Sequence, residues 1–125
     1  MIITLPWPPR TQFPNWRGHW AVKARDTKVC RQTGLFRARY GYDGNVMLGD
    51  ACWPFDGNVQ LAITAHPPNK RWHDDDGIAT ACKAYRDGIF DAFGRDDHLC
   101  KRTTCTIGCT KPGGEVQIEI KEMEE

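Results

Sequence analysis

No run of about 18 apolar residues occurs in the chain, so nothing in it is expected to cross a membrane. The start, Met1-Ile2-Ile3-Thr4-Leu5-Pro6-Trp7, has neither a basic n-region nor an apolar h-region. That argues against a secretory signal and makes the cytoplasm the expected location. No Cys-x-x-Cys pair occurs among the six cysteines. In a reducing compartment, free thiols acting as small hydrophobes are expected, rather than a disulfide framework. A zinc site using Cys and His is the alternative use of those residues. Internal repeats and low-complexity tracts are absent, and 125 residues suit one domain spanning 1–125. Net charge is nearly absent too, at +1.

The small net charge hides an asymmetry. Residues 1–40 hold eight Lys or Arg and one acid, Asp26, whereas residues 41–125 hold nine bases and fifteen acids. A basic segment therefore accompanies an acidic cluster. An enzyme that cuts DNA with a carboxylate-bound cation needs both, bases for the phosphate backbone and acids for the metal. A solvated basic helix without a ligand is the bland reading of the same pattern.

Periodicity places the elements. Ile2 to Leu5 reads as a short strand ended by Pro6, Pro8 and Pro9. Trp7, between prolines, is expected to pack on the core. A helix starts near Gly18 to Trp20 and runs to about Tyr40, with Gly34 weakening it. Gly41 to Gly57 reads as a loop, with Trp53-Pro54-Phe55 returning to the core. Val59, Leu61, Ile63 and Ala65 alternate with polar or small residues, the pattern of a half-buried strand. Ile78, Ala81, Cys82, Tyr85, Ile89, Ala92 and Phe93 repeat at three and four, which predicts one helix from Ile78 to Phe93 stopped by Gly94. Lys101 to Thr110 reads as a strand. Glu115 to Lys121, with Val116, Ile118 and Ile120 facing in, is expected to form a C-terminal hairpin with it. The expected fold is an α/β (α+β) single domain. A mixed sheet of about four strands packs with two main helices, in the order strand-helix-strand-helix-strand-strand.

Chemistry concentrates between residues 70 and 99. Asp74-Asp75-Asp76 precedes the predicted helix and Asp96-Asp97 follows it. At ~1.5 Å per residue the helix separates the clusters by about 24 Å. They meet only if the chain folds back after Gly94. Carboxylates brought together repel one another, and a hard cation such as Mg²⁺ relieves that repulsion. Lys83 and Asp87 lie on nearly the same helix face as Asp76, and Lys70 and Arg71 flank the acids. The bland alternatives are an acidic run complementing the helix dipole and an i, i+4 surface pair.

In their order, Leu5-Pro6-Trp7-Pro8-Pro9, Pro14-Asn15, His19-Trp20, Pro67-Pro68, Asp74-x-Asp76, Lys83, Asp87-Gly88 and Asp96-Asp97 resemble the pattern of the RusA family of Holliday junction resolvases. These are small endonucleases common in bacteriophages, and the resemblance runs from Leu5 to about Ile120. It implies a homodimer that binds four-way junctions and nicks two strands symmetrically with Mg²⁺, for which Mn²⁺ substitutes. Asp74, Asp76, Asp97 and Lys83 would be catalytic. Asp74, Asp76 and Asp97, supported by Asp96, would hold the metal. Arg10, Asn15, Arg17, Lys23, Lys28, Arg31, Lys70 and Arg71 are the expected DNA contacts. Neither a membrane nor an organic cofactor is expected. Gly77 stands where the family usually has Asn, His73 where Arg is common, and Asp75 where an apolar residue is common. The change at Gly77 motivates an alternative: a junction-binding protein of the same fold with impaired catalysis.

Overall fold

The computed structural model describes residues 1–40, 53–70 and 75–123. Its order is β1 (Ile2–Pro6), a 3-10 turn (Arg10–Gln12), α1 (Trp20–Tyr40), β2 (Val59–His66), α2 (Asp75–Ala81), α3 (Lys83–Phe93), a second 3-10 turn (Asp97–Leu99), β3 (Cys100–Ile107) and β4 (Glu115–Glu122). The expected α/β class, mixed four-stranded sheet and element order all hold. The loop expected from Gly41 lies outside the described residues as far as residue 52. Among the described residues no helix is long and apolar enough to cross a membrane.

The strands lie in the order β1-β4-β2-β3. β4 runs antiparallel to both β1 and β2, while β2 and β3 are parallel. Alternation decides which residues enter the core. Ile3 and Leu5, then Val59, Leu61, Ile63 and Ala65, then Val116, Ile118 and Ile120 are all buried against the helices. Gln60, Thr64, Gln117 and Glu119 take the other face. Trp7, Trp53 and Phe55 pack on the core as the sequence implied, and Trp53 meets the rings of Phe90 and Phe93 at 5.7 and 5.3 Å. The Glu122 carboxylate then secures the entry to β2, accepting from the backbone N–H of Asp56 at 2.7 Å and of Gly57 at 3.2 Å.

The expected C-terminal hairpin does not form. β3 and β4 lie on opposite sides of β2, and β3 ends at Ile107 rather than Thr110. The connection of residues 108–114 crosses the end of β2 instead of turning back on β3. Gly108 N–H donates to Ala65 O at 2.8 Å, and Lys111 N–H donates to Pro67 O at 3.0 Å. A two-residue turn joins adjacent strands, and a longer connection can skip one. β2 buries four apolar side chains, more than any other strand, and the arrangement gives it a partner on each side.

The helices also depart from expectation. The predicted single helix begins at Asp75, inside the acidic cluster, and bends at Cys82. Cys82 leaves helical geometry with ψ 0°, yet Cys82 N–H still reaches Ile78 O and Arg86 N–H still reaches Cys82 O, each at 3.0 Å. One turn earlier, the Thr80 hydroxyl donates to Asp76 O at 3.0 Å, a back-bond of the kind that bends helices.

Gly34, read from sequence as a weakness of α1, is a packing site. A Cβ there would sit 2.3 Å from Tyr85 O, and a Cβ at Gly88 would sit 1.9 Å from Arg31 O. The two helices touch backbone to backbone at these glycines. Adding a methyl at Gly88 gains up to ~1 kcal/mol of helix propensity. It also forces apart two packed backbones, and overpacking costs about 1–3 kcal/mol or more. Gly88→Ala is therefore expected to destabilise the fold by about 2 kcal/mol, read as a lower urea midpoint with an unchanged slope. An unchanged midpoint would rule out the close crossing.

Candidate functional site

α3 carries the first half of the site. Lys83 opens the helix, and Asp87 follows one turn later with its Oδ2 3.3 Å from Lys83 Nζ. Gly94 then stops the helix in the left-handed region, φ 63°, where glycine carries no Cβ penalty. Gly94 N–H donates to Asp91 O at 3.1 Å, and Arg95 N–H donates to Phe90 O at 3.0 Å, the hydrogen-bond pair of a Schellman stop. The chain reverses and brings Asp96-Asp97 back along α3. Asp97 thereby comes to line a hollow with Lys83, while Asp76 of the first acidic cluster does not.

The result is a cleft of about 320 Å³ whose lining includes Lys83, Asp87, Asp91, Asp96 and Asp97, with Arg31 from α1 and Arg95 from the reversal. A smaller hollow of about 200 Å³ shares Lys83, Asp87 and Asp97 and extends towards Cys100 and Thr103 of β3. Charges of both signs line the cleft, and several are already paired. Arg31 holds Asp91 with two hydrogen bonds, from Nε at 2.5 Å and from Nη2 at 2.9 Å. That bidentate contact holds the Asp91 carboxyl below its ordinary value and raises that of Arg31. Asp96 caps the second 3-10 turn, accepting from His98 N–H at 3.0 Å and lying 3.1 Å from His98 Nδ1. The backbone N–H of His98, then its ring, then the neighbouring Asp97 side chain hold Asp96 down at about 2.

The sequence analysis passed over Arg86. It stands between Tyr85 and Asp87 on α3 and looks like one more helix-surface base. In the fold it lines the smaller hollow beside Lys83 and Asp97, and its Nη1 donates to Thr103 Oγ1 at 3.0 Å. Its Nε is buried with no hydrogen-bond partner among the described residues. Only the placement of β3 against α3 distinguishes Arg86 from an exposed arginine.

The remaining predicted residues fall elsewhere. Asp74 and Arg71 lie outside the described residues. Asp76 sits exposed in the first turn of α2 and is not among the residues lining either hollow. Its neighbourhood is the Cys105 thiol of β3, which burial first, then the charges of Asp75 and Asp76, push up to about 11. Gly77 is buried behind them. Among the described residues no group of three or more His, Cys, Asp or Glu is arranged to hold a metal. The acids that do line the cleft offer carboxylate oxygens, the donor type that Mg²⁺ takes, and Mg²⁺ usually needs only one or two of them besides water and phosphate.

Lys23 and Lys28 are exposed on α1, and Arg17 and Lys70 are exposed on loops. Arg10 and Asn15 line a second, larger groove with Trp7, Phe13 and Trp16, made by the segment before α1. That segment is tied to α1 by buried polar groups. The Thr11 hydroxyl donates to Asp26 Oδ2 at 2.8 Å, and Gln12 Nε2 donates to Thr27 Oγ1 at 3.1 Å.

No family model matches the chain. Over 96 residues it is 36% identical to an uncharacterized protein of Xylella fastidiosa, a match covering 76% of this chain and 59% of that relative. The chain thus spans about three fifths of that relative's length.

The Arg31–Asp91 pair gives the cleft a pH signature. Asp91 titrates lower folded than its usual 3.8, so its contribution is complete above that value and is lost as pH falls through the depressed one. Asp91→Asn is expected to lower the urea midpoint near pH 7 and to cost less near pH 3. A deficit equal at both pH values would show that the pair does not couple to folding.

Proposed function

We propose that this chain is a metal-dependent endonuclease that cuts branched DNA by paired, symmetric nicks, in the manner of the RusA family it resembles. The observation that carries the reading is the reversal at Gly94, which sets Asp97 in one cleft with Lys83 and Asp87. Asp97, with Asp96 beside it, Asp76 from the first turn of α2 and Asp74, would hold Mg²⁺, Mn²⁺ serving in its place. Bound there, the cation supplies a polarised phosphate and an oriented water.

The chain's own groups do the rest. Lys83, held by Asp87, places a positive charge where negative charge develops on the phosphate. Arg86 adds a buried guanidinium N–H on the same side. Arg31 is engaged by Asp91 and shapes the wall, leaving Arg10, Arg17, Lys23, Lys28, Lys70 and Arg71, with Asn15, for contacts to the phosphate backbone. Two nicks related by a two-fold axis call for a two-fold protein, so the active form is a homodimer.

The position of Asp76, outside the residues that line the cleft, favours a second reading: a protein that binds junctions without cutting them. One experiment separates the two. A synthetic four-way junction and a linear duplex of the same sequence are incubated with the protein in EDTA, Mg²⁺ and Mn²⁺. Paired nicks on the junction alone, dependent on metal, are expected. Asp97→Asn and Lys83→Ala are each expected to cost about 10²–10³-fold in rate, the scale for losing one electrostatic contact to a reacting centre. Junction binding in EDTA with no nick under either metal would establish the silent binder, and neither binding nor cutting would dismiss both.

A further inference from the structure

We infer that the groove between Trp7, Phe13 and Trp16 holds an unpaired base of a single DNA strand, at a site separate from the cleft of Lys83 and Asp97. The inference rests on the nucleic-acid reading above and adds to it a place for unpaired DNA.

The groove has a volume of about 580 Å³ and is lined by three aromatic side chains, together with Arg10, Asn15, Pro68 and Asn69. A π-face is the surface on which any base stacks, whatever its sequence. Trp7 and Phe13 already stand as a stacked pair, with ring centroids 6.1 Å apart at 29°. The Trp16 ring packs against Gly18, where a Cβ would come within 2.0 Å of it. These walls are held in place before any ligand arrives. Phe13 N–H donates to Arg10 O at 3.2 Å and Trp16 N–H to Phe13 O at 3.1 Å, while buried Thr11 and Gln12 anchor the segment to α1. Preorganised walls lower the ordering cost of binding. The buried Nε1–H of Trp16 has no partner among the described residues, so an acceptor on the ligand that reaches it removes an existing desolvation cost.

Charge selects the occupant. Aromatic grooves also take proline-rich peptides. Here Arg10 lies in the groove, exposed Arg17 follows Trp16, exposed Lys70 follows Asn69, and no carboxylate is among the described lining residues. Cations interleaved with aromatics suit a strand whose bases stack while its phosphates lie alongside. Asn15 supplies an amide for a base edge.

The test uses the full chain in EDTA, so that no cutting intervenes, with fluorescein-labelled (dT)₁₂ and a duplex of equal length read by anisotropy. Trp16→Ala is expected to weaken (dT)₁₂ binding by about tenfold or more, with Trp16→Phe restoring most of it and duplex affinity changing by less than about threefold. Should Trp16→Ala fail a check of its fold by circular dichroism, the exposed Arg10→Ala serves. It should weaken (dT)₁₂ binding and reduce the salt slope by about one contact. Junction and duplex binding with (dT)₁₂ affinity indifferent to both substitutions would overturn this inference and leave the proposed function standing. Equal losses on single strand and duplex from Trp16→Ala would also overturn it, as would displacement of (dT)₁₂ by a proline-rich peptide. Binding of no DNA in any form would remove both.

Discussion

The close approach of α1 and α3 at Gly34 and Gly88 is the constraint on which the rest of the molecule depends. Two backbones in contact leave no room for the helices to slide or rotate. That contact sets how α3 lies over the sheet, and so which of its faces is buried. Ile89 and Phe90 go into the core, while Lys83 and Asp87 turn to the cleft. It also brings Arg31 of α1 level with Asp91 of α3, so the bidentate pair between them is a consequence of the crossing as well as a brace for it.

Around that crossing the site is assembled from one element and its reversal. A helix alone carries its ends apart, and a helix followed at once by a left-handed glycine carries the next residues back. The Schellman stop at Gly94 therefore has a chemical consequence, because it lets Asp97 share a hollow with Lys83. The cleft concentrates carboxylates, and the structure answers their repulsion locally. Arg31 binds Asp91, Lys83 binds Asp87 and His98 binds Asp96. Asp97 lines the same cleft as Lys83, Arg31 and Arg95.

Sequence reading went astray where it inferred neighbours from faces. The alternation of Val116, Ile118 and Ile120 correctly marked which side of β4 is buried, yet alternation carries no information about which strand lies alongside. β4 therefore looked like the partner of β3, the strand just before it, and proved to be the partner of β2 and β1. Gly34 failed in a related way. A glycine inside a helical pattern costs propensity, and the compensating contact lies 51 residues away, on Tyr85. Arg86 was illegible for the same reason, since its burial comes from Thr103 on a strand that the helical pattern does not mention.

What the sequence determined by itself was local: the alternation of β2 and β4, the stop at Gly94, and the core residues Leu61, Ile63, Tyr85, Ile89 and Ile118. These follow from hydrophobic periodicity and from the restricted backbone of particular residues, both read within a few residues of the chain. What only the tertiary structure decided was adjacency. It set β3 and β4 on either side of β2, put Asp97 beside Lys83, left Asp76 on the Cys105 side of β3, and gathered Trp7, Phe13 and Trp16 around one groove. Adjacency is a property of closed loops and packed backbones, and it is settled by contacts between residues far apart in the chain, to which no local pattern refers.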